Sequence, residues 1–279
     1  MGFMHTSLPP TQLVSLPGKG WLPIRYYAHP TPAASVLLLH GWSVGSDLHW
    51  LPHYQALQGT HTTVSFDQRF HGNGLRGSKK ASLELLADDA ASVLDSLQIS
   101  SAVVVGYSMG GAVAQLLARS RPDLVSGLVL SATSTRFDSL NSAFPAFRFA
   151  RSAAVVSRNL PGFVHKVAAE YLYGRRLPKS YGAWTRSELV DHDWRGLLSL
   201  AADISRFDSR PWVSSLQTPS VYIGTTKDEL VPPSAQEDLR TRLSCLRGSY
   251  SSSFGHEAVL TDPEFTNILC KSISDVRTP

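Results

Sequence analysis

The stretch Val103-Val104-Val105-Gly106-Tyr107-Ser108-Met109-Gly110-Gly111 constrains the chain more than any other. Three β-branched residues run into Gly-x-Ser-x-Gly, and an Ala/Leu pattern of helical spacing follows at once. A strand that turns straight into a helix brings two backbones close together. Gly106 and Gly110 are therefore positions where a side chain would clash. Ser108 stands at the apex, its hydroxyl clear of the sheet and beside the first helix amides, a setting that suits a developing negative charge. Gly-x-Ser-x-Gly alone is a weak signal; the strand before it, the helix after it and partners elsewhere strengthen it.

At 279 residues the chain fits one large α/β domain, or such a domain with an inserted lid. Hydrophobic residues at 43% and charged residues at 17% are enough to build an ample core. The formal charge of +4 is not gathered into a basic run, and the densest cluster, Arg175-Arg176 with Lys179, is short. A nucleic-acid partner is therefore not expected. No apolar run reaches the ~18 residues of a membrane span, and the first residues lack the charged-then-apolar order of a secretory signal. The expectation is a cytoplasmic protein without stable membrane insertion. Gly2 and Thr6 formally fit a myristoylation pattern, but Pro9 and Pro10 follow and no basic patch supplies a second anchor. Cys245 and Cys270 show no metal spacing and are expected as free thiols. No metal or other cofactor is expected, and nothing sets the oligomeric state.

Along the chain, 12–16 and 23–28 are β-type runs flanking Pro17-Gly18-Lys19-Gly20, an expected antiparallel pair. The run 35–39 is continuously apolar, as in a strand buried on both faces, and ends in His40-Gly41-Trp42-Ser43. A helix over 48–57 and a strand over 62–66 come next, followed by a polar loop at 67–74. Ser82 caps a helix that runs to Leu97, with an apolar stripe at helical spacing. After the Ser108 turn and its helix, Pro122 breaks the pattern and 128–130 is a strand. The alternation stops over 134–207, a segment rich in aromatics, which is expected to be an inserted helical cap. Within it 164–173 and 197–204 carry helical patterns. Alternation resumes with a strand at 220–224, a helix at 234–243 and a last strand at 247–253. Asp262 and Pro263 then open the closing helix. The expected fold is α/β, a mostly parallel twisted sheet with helices on both faces. Residues 1–133 and 208–279 form its core, and 134–207 its cap.

In such a sheet, functional groups gather beyond the carboxyl ends of the strands. Ser108, Asp228 and His256 each follow a strand in this way. A serine hydroxyl needs a base to take its proton, which the neutral imidazole of His256 can do, and Asp228 would hold the ring tautomer and stabilise the imidazolium. The tetrahedral intermediate needs two donors, and the amides of Met109 and Trp42 are the candidates. His40 is expected to shape the loop that carries Trp42. Asp67, Arg69 and His71 are expected to brace loops, while Glu229 and Asp138 are fallback acids.

His40-Gly41-Trp42, Gly106-Tyr107-Ser108-Met109-Gly110-Gly111, Asp228 and Gly255-His256, in that order, resemble the α/β-hydrolase superfamily. The likeness runs from about Gln12 to the end, with 134–207 as its variable cap. It implies Ser108 as nucleophile, Asp228 as acid, His256 as base, and the Trp42 and Met109 amides as oxyanion hole. Phe70 and Gly74 depart from the family's Asp-x-Arg-Gly-x-Gly-x-Ser loop, which bears on loop shape. His-Gly-Trp-Ser is similar to the His-Gly-Trp of small carboxylesterases and the pimeloyl-ester esterase group, and unlike the His-Gly-Gly-Gly of hormone-sensitive-lipase-like esterases. Ser43 stands where cofactor-free haloperoxidases usually carry proline. A serine at 108 speaks against haloalkane dehalogenases and epoxide hydrolases, which use aspartate. The resulting expectation is a serine carboxylesterase for small or medium esters with an apolar portion. The alternatives are a C–C bond hydrolase, an acyltransferase, or a slow-turnover sensor that uses the pocket for recognition.

Overall fold

In a computed structural model that describes residues 8–31, 33–77, 81–137 and 192–277, eight strands form one sheet in the order β1-β2-β4-β3-β5-β6-β7-β8. Strands β1 (Thr11–Leu16) and β2 (Gly20–Tyr27) form the expected antiparallel pair, with Gly18 at φ 73° in the turn between them. Strand β2 also runs antiparallel to β4 (Thr62–Phe66). From β4 across to the far edge every pairing is parallel, through β3 (Ser35–Leu39), β5 (Ala102–Tyr107), β6 (Val125–Ser131), β7 (Ser220–Thr225) and β8 (Leu246–Ser252).

The continuous apolar runs of β3, β5 and β6 have a plain cause, since both faces of these strands are covered. Leu37, Leu39, Val104, Leu128 and Leu130 point into one core. Helices α3 (Leu83–Ser96), α4 (Met109–Ser120) and α5 (Trp194–Ile204) pack on that side. Val36, Leu38, Val103, Val105 and Val129 point into the other, against Trp50, Tyr54 and the buried face of the C-terminal helix. Ser82 accepts the Leu85 amide at 3.3 Å and so caps α3 as its position suggested. Because β3 lies between β4 and β5, strand order reverses beside it, and the carboxyl ends of β3 and β5 are where open sheets of this kind place their functional groups.

Some elements differ from expectation. Residues 48–57 are two short helices, α1 (Ser46–Trp50) and α2 (Tyr54–Gln58). Pro52 has no N–H to continue the ladder, and the next amide, His53 N, goes instead to Trp50 O at 2.9 Å. Helix α6 (Pro233–Arg242) agrees with expectation. A four-residue helix, α7 (Ala258–Thr261), follows His256 and has too little length to show a period. The Asp262 carboxylate accepts the Glu264 amide at 2.9 Å, so Pro263 lies in the turn ahead of α8 (Phe265–Arg277). Ser272 and Val276 join Phe265, Leu269 and Ile273 on its buried face, while Ile268 is only partly buried.

Of the segment expected as a cap, 138–191 lies outside the described residues, and with it Asp138 and the pattern at 164–173. Helix α5 covers the second patch. Asp193 caps it by accepting the Gly196 amide at 3.0 Å, and Leu197, Leu200 and Ile204 enter the same core as Phe137 and Phe207. Phe70, the departure in the loop after β4, sits at φ 74°. That conformation is unfavourable for a bulky L-residue. Its buried ring lies so close over Gly196 that a side chain there would overlap it. Packing beneath α5 thus offsets the backbone strain.

Candidate active site

Three strand ends bring their side chains together. Strand β5 delivers Ser108 with φ 55° and ψ −119°, a conformation costing on the order of 1–3 kcal/mol for a residue with a side chain. Its surroundings hold it there. Ser108 N donates to Ser131 O at 2.9 Å, and Thr133 Oγ1 donates to Ser108 O at 2.8 Å. The two glycines are needed for the reason the sequence suggested. A Cβ on Gly106 would stand 2.7 Å from Gly111 Cα, and one on Gly110 would stand 2.6 Å from the Leu39 carbonyl carbon. The turn can exist only with those positions bare.

His256 follows β8, and its Nε2 lies 2.9 Å from Ser108 Oγ. Its Nδ1 lies 2.8 Å from Asp228 Oδ2. Asp228 follows β7 and is buried, and every oxygen it presents is occupied. Oδ1 accepts the Leu230 and Val231 amides, each at 2.9 Å, and Oδ2 also accepts Thr225 Oγ1 at 2.7 Å. Burial alone would raise this carboxyl, but the adjacent His256 and these donors outweigh it and hold it below its ordinary value. An ionised carboxylate on Nδ1 keeps the proton on that nitrogen and leaves Nε2 free to accept from the serine. Glu229 is exposed and points to no such arrangement.

The loop after β3 runs directly against the serine. A Cβ on Gly41 would be 3.5 Å from Ser108 Cβ, so the Trp42 backbone is next to the nucleophile. Met109 opens α4, where amides of the first turn have no partner within the helix. The histidines near this loop are braces. His40 Nδ1 donates to Gly41 O at 2.8 Å while its Nε2 accepts the Gln68 amide at 2.8 Å. His71 Nε2 accepts the Ser43 amide at 3.0 Å. Burial pushes both imidazoles down, which keeps the accepting nitrogens bare. Asp67 accepts the Ser46 amide at 2.7 Å, and Arg69 pairs with buried Asp89 at 2.7 Å. These residues shape loops, as expected from the sequence.

Other contributors carry no sequence signal. His192 accepts the Gly72 amide at 2.9 Å through Nδ1 and reaches Ser43 O at 3.2 Å through Nε2, so one ring ties three segments together. Trp42 Nε1 donates to Leu197 O at 3.1 Å, linking the same loop to α5. Gln236 on α6 holds the end of β7 by donating to Thr225 Oγ1 at 2.8 Å and Val231 O at 2.7 Å. Among the described residues, no group of His, Cys, Asp or Glu is assembled as a metal site, and no helix is long and apolar enough to cross a membrane.

Comparison with known proteins agrees with this architecture. The dihydrolipoyllysine-residue acetyltransferase component of the acetoin cleaving system of Pseudomonas putida is 29% identical over 204 residues. That match takes in 71% of this chain and 53% of the other, so the chain spans about half the length of this relative. A non-heme chloroperoxidase of Streptomyces lividans is 25% identical over 259 residues, 85% of this chain and 90% of its own. A thermophilic esterase from Thermogutta terrifontis, 23% identical, shares the fold with a TM-score of 0.77 over 96% of this chain and 100% of that one. The sequence model described as alpha/beta hydrolase fold matches residues 34–263. With that match over most of its length, the chain belongs to the α/β-hydrolase family.

Proposed function

We propose that this protein is a serine hydrolase that cleaves carboxylic esters of small to medium size with an apolar portion. The observation that carries the reading is the hydrogen-bonded series Ser108 Oγ, His256 Nε2, His256 Nδ1 and Asp228 Oδ2, at 2.9 and 2.8 Å, on a strained turn. In this reading Ser108 Oγ attacks the ester carbonyl carbon as His256 Nε2 takes its proton. The tetrahedral oxyanion is met by the Trp42 and Met109 amides, a pair whose single members are typically worth about 3 kcal/mol each. The C–O bond to the alcohol then breaks, and His256 returns the proton to the leaving oxygen. Water repeats the sequence on the acyl-enzyme and frees the acid. Asp228 stays ionised throughout and stabilises the imidazolium.

The apolar preference rests on Trp42, which is partly buried, follows the Gly41 that lies against Ser108, and is anchored to α5. Each methylene that leaves water is worth about 0.8 kcal/mol. For chromogenic esters of graded acyl length, kcat/KM should therefore rise about fourfold per methylene until the cleft is filled. A flat profile, or a preference for emulsified long-chain triglycerides, would remove the substrate class. Acyl transfer is the second reading, favoured by the likeness to a protein named as an acetyltransferase component. Products analysed with an excess of a primary alcohol separate the two, since hydrolysis yields free acid and transfer yields a new ester.

A further inference from the structure

The residue before the nucleophile does more than fill the Gly-x-Ser-x-Gly pattern. Tyr107 is buried, and its side chain leaves β5 on the face opposite α4, among Trp50, His49 and Phe265. Its hydroxyl donates to the main-chain carbonyl of His256 at 2.8 Å, across 149 positions of sequence. The Tyr107 ring also stands edge-on to the His256 imidazole, with centroids 5.6 Å apart at 64°. His49 and Phe265 flank it at 4.9 and 5.9 Å.

Two restraints therefore act on His256 by separate routes. Asp228 holds the ring through Nδ1, which sets tautomer and rotation but leaves the distance to Ser108 dependent on where the 253–257 loop sits. Tyr107 holds the backbone of that loop, and its own Cα is one peptide from Ser108. We propose that Tyr107 is a positioning residue of the reaction, its phenol linking the base-bearing loop to the nucleophile turn so that His256 Nε2 meets Ser108 Oγ. The inference rests on the proposed roles of Ser108 and His256. The surroundings favour a permanent donor. Burial first, and the Asp228 charge next, hold the phenol well above its ordinary range, so it keeps its proton wherever the enzyme works.

The test is Tyr107→Phe, which keeps the ring and its packing and removes only the hydroxyl. Active sites are titrated with a fluorophosphonate, and kcat and KM for a chromogenic ester are then expressed per titrated site. The expected result is a fall in kcat of about tenfold with KM within about twofold, because the partly buried His256 carbonyl loses its donor while no group that would meet the ester is changed. The rate constant for fluorophosphonate labelling should fall in parallel. A purely structural role would lower the titrated fraction or the melting temperature and leave kcat per site unchanged, and that result would overturn the proposal. So would a change confined to KM. Ser108→Ala and His256→Ala are measured beside it. If either keeps wild-type turnover, the site reading itself fails; if both lose activity while Tyr107→Phe does not, only the positioning role fails.

Discussion

Acid is expected to unfold this protein through its histidines before most carboxylates are protonated. His53 is buried, with Nδ1 2.8 Å from Thr266 Oγ1 and Nε2 2.8 Å from Val259 O, and burial holds its pKa down to about 4. His192 is likewise held to about 4, chiefly by burial. His40, His49 and His71 are lowered by the same cause. In the unfolded chain each imidazole returns to about 6.5. The folded pKa is the depressed one, so between about pH 6.5 and 4 the unfolded state takes up a proton that the folded state does not. This contribution to stability is complete above pH 6.5 and is lost as pH falls toward 4. With the folded value at about 4, the ceiling is roughly 3 kcal/mol per histidine, with about 2 kcal/mol gone by pH 5. His53 and His192 alone thus remove about 4 kcal/mol by pH 5, against a usual total stability of roughly 5–15 kcal/mol. Urea unfolding in half-unit steps from pH 7.5 to 4.5 gives the slope directly. These two residues should add nearly two protons taken up on unfolding near pH 5.3. His53→Gln, which cannot titrate, should weaken the protein at neutral pH yet remove about one proton from the slope. Stability that stays flat from pH 6.5 to 5, or an unchanged slope in that variant, would refute the argument.

Gly110→Ala drives a methyl group into the Leu39 and His40 carbonyls, the latter at 2.8 Å, and should cost roughly 3 kcal/mol or more by urea unfolding together with most of the activity. Gly18→Ala is the control: at φ 73° with nothing within 4 Å, it should cost only about 1 kcal/mol. Asp228→Asn keeps the shape but loses the charge that sets the His256 tautomer, so kcat should fall about 10³–10⁴-fold, whereas Glu229→Gln should match wild type in the same assay.

Much of this architecture was legible because the buried strands announce themselves. Runs such as Val36-Leu37-Leu38-Leu39 and Val103-Val104-Val105 are apolar on both faces because helices cover both faces. Ser108 and Asp228 stand out because each falls just past such a run, whereas His256 follows the polar strand β8 and is marked by Gly255 before it and the closing helix after it. The break at Pro52 was present in the sequence but was overridden by the apolar spacing of its neighbours. Phe70 was visible as a departure, yet its positive φ makes sense only once Gly196 is seen beneath its ring. Least legible were the polar braces. His192 and Gln236 act on main-chain groups, and a side chain that bonds backbone leaves no complementary residue type to look for; Thr225 reaches the Asp228 carboxylate through a hydroxyl that many other residues could supply. The Tyr107 bond to the His256 carbonyl belongs to the same class.

The central claim is that Ser108 is the one serine activated as a nucleophile. Its most direct test is labelling of the intact protein with a fluorophosphonate, followed by mass spectrometry of the peptides. The expected result is one equivalent of label, carried by the peptide that contains Ser108. Label on another serine, or unchanged stoichiometric labelling of Ser108→Ala, would contradict it.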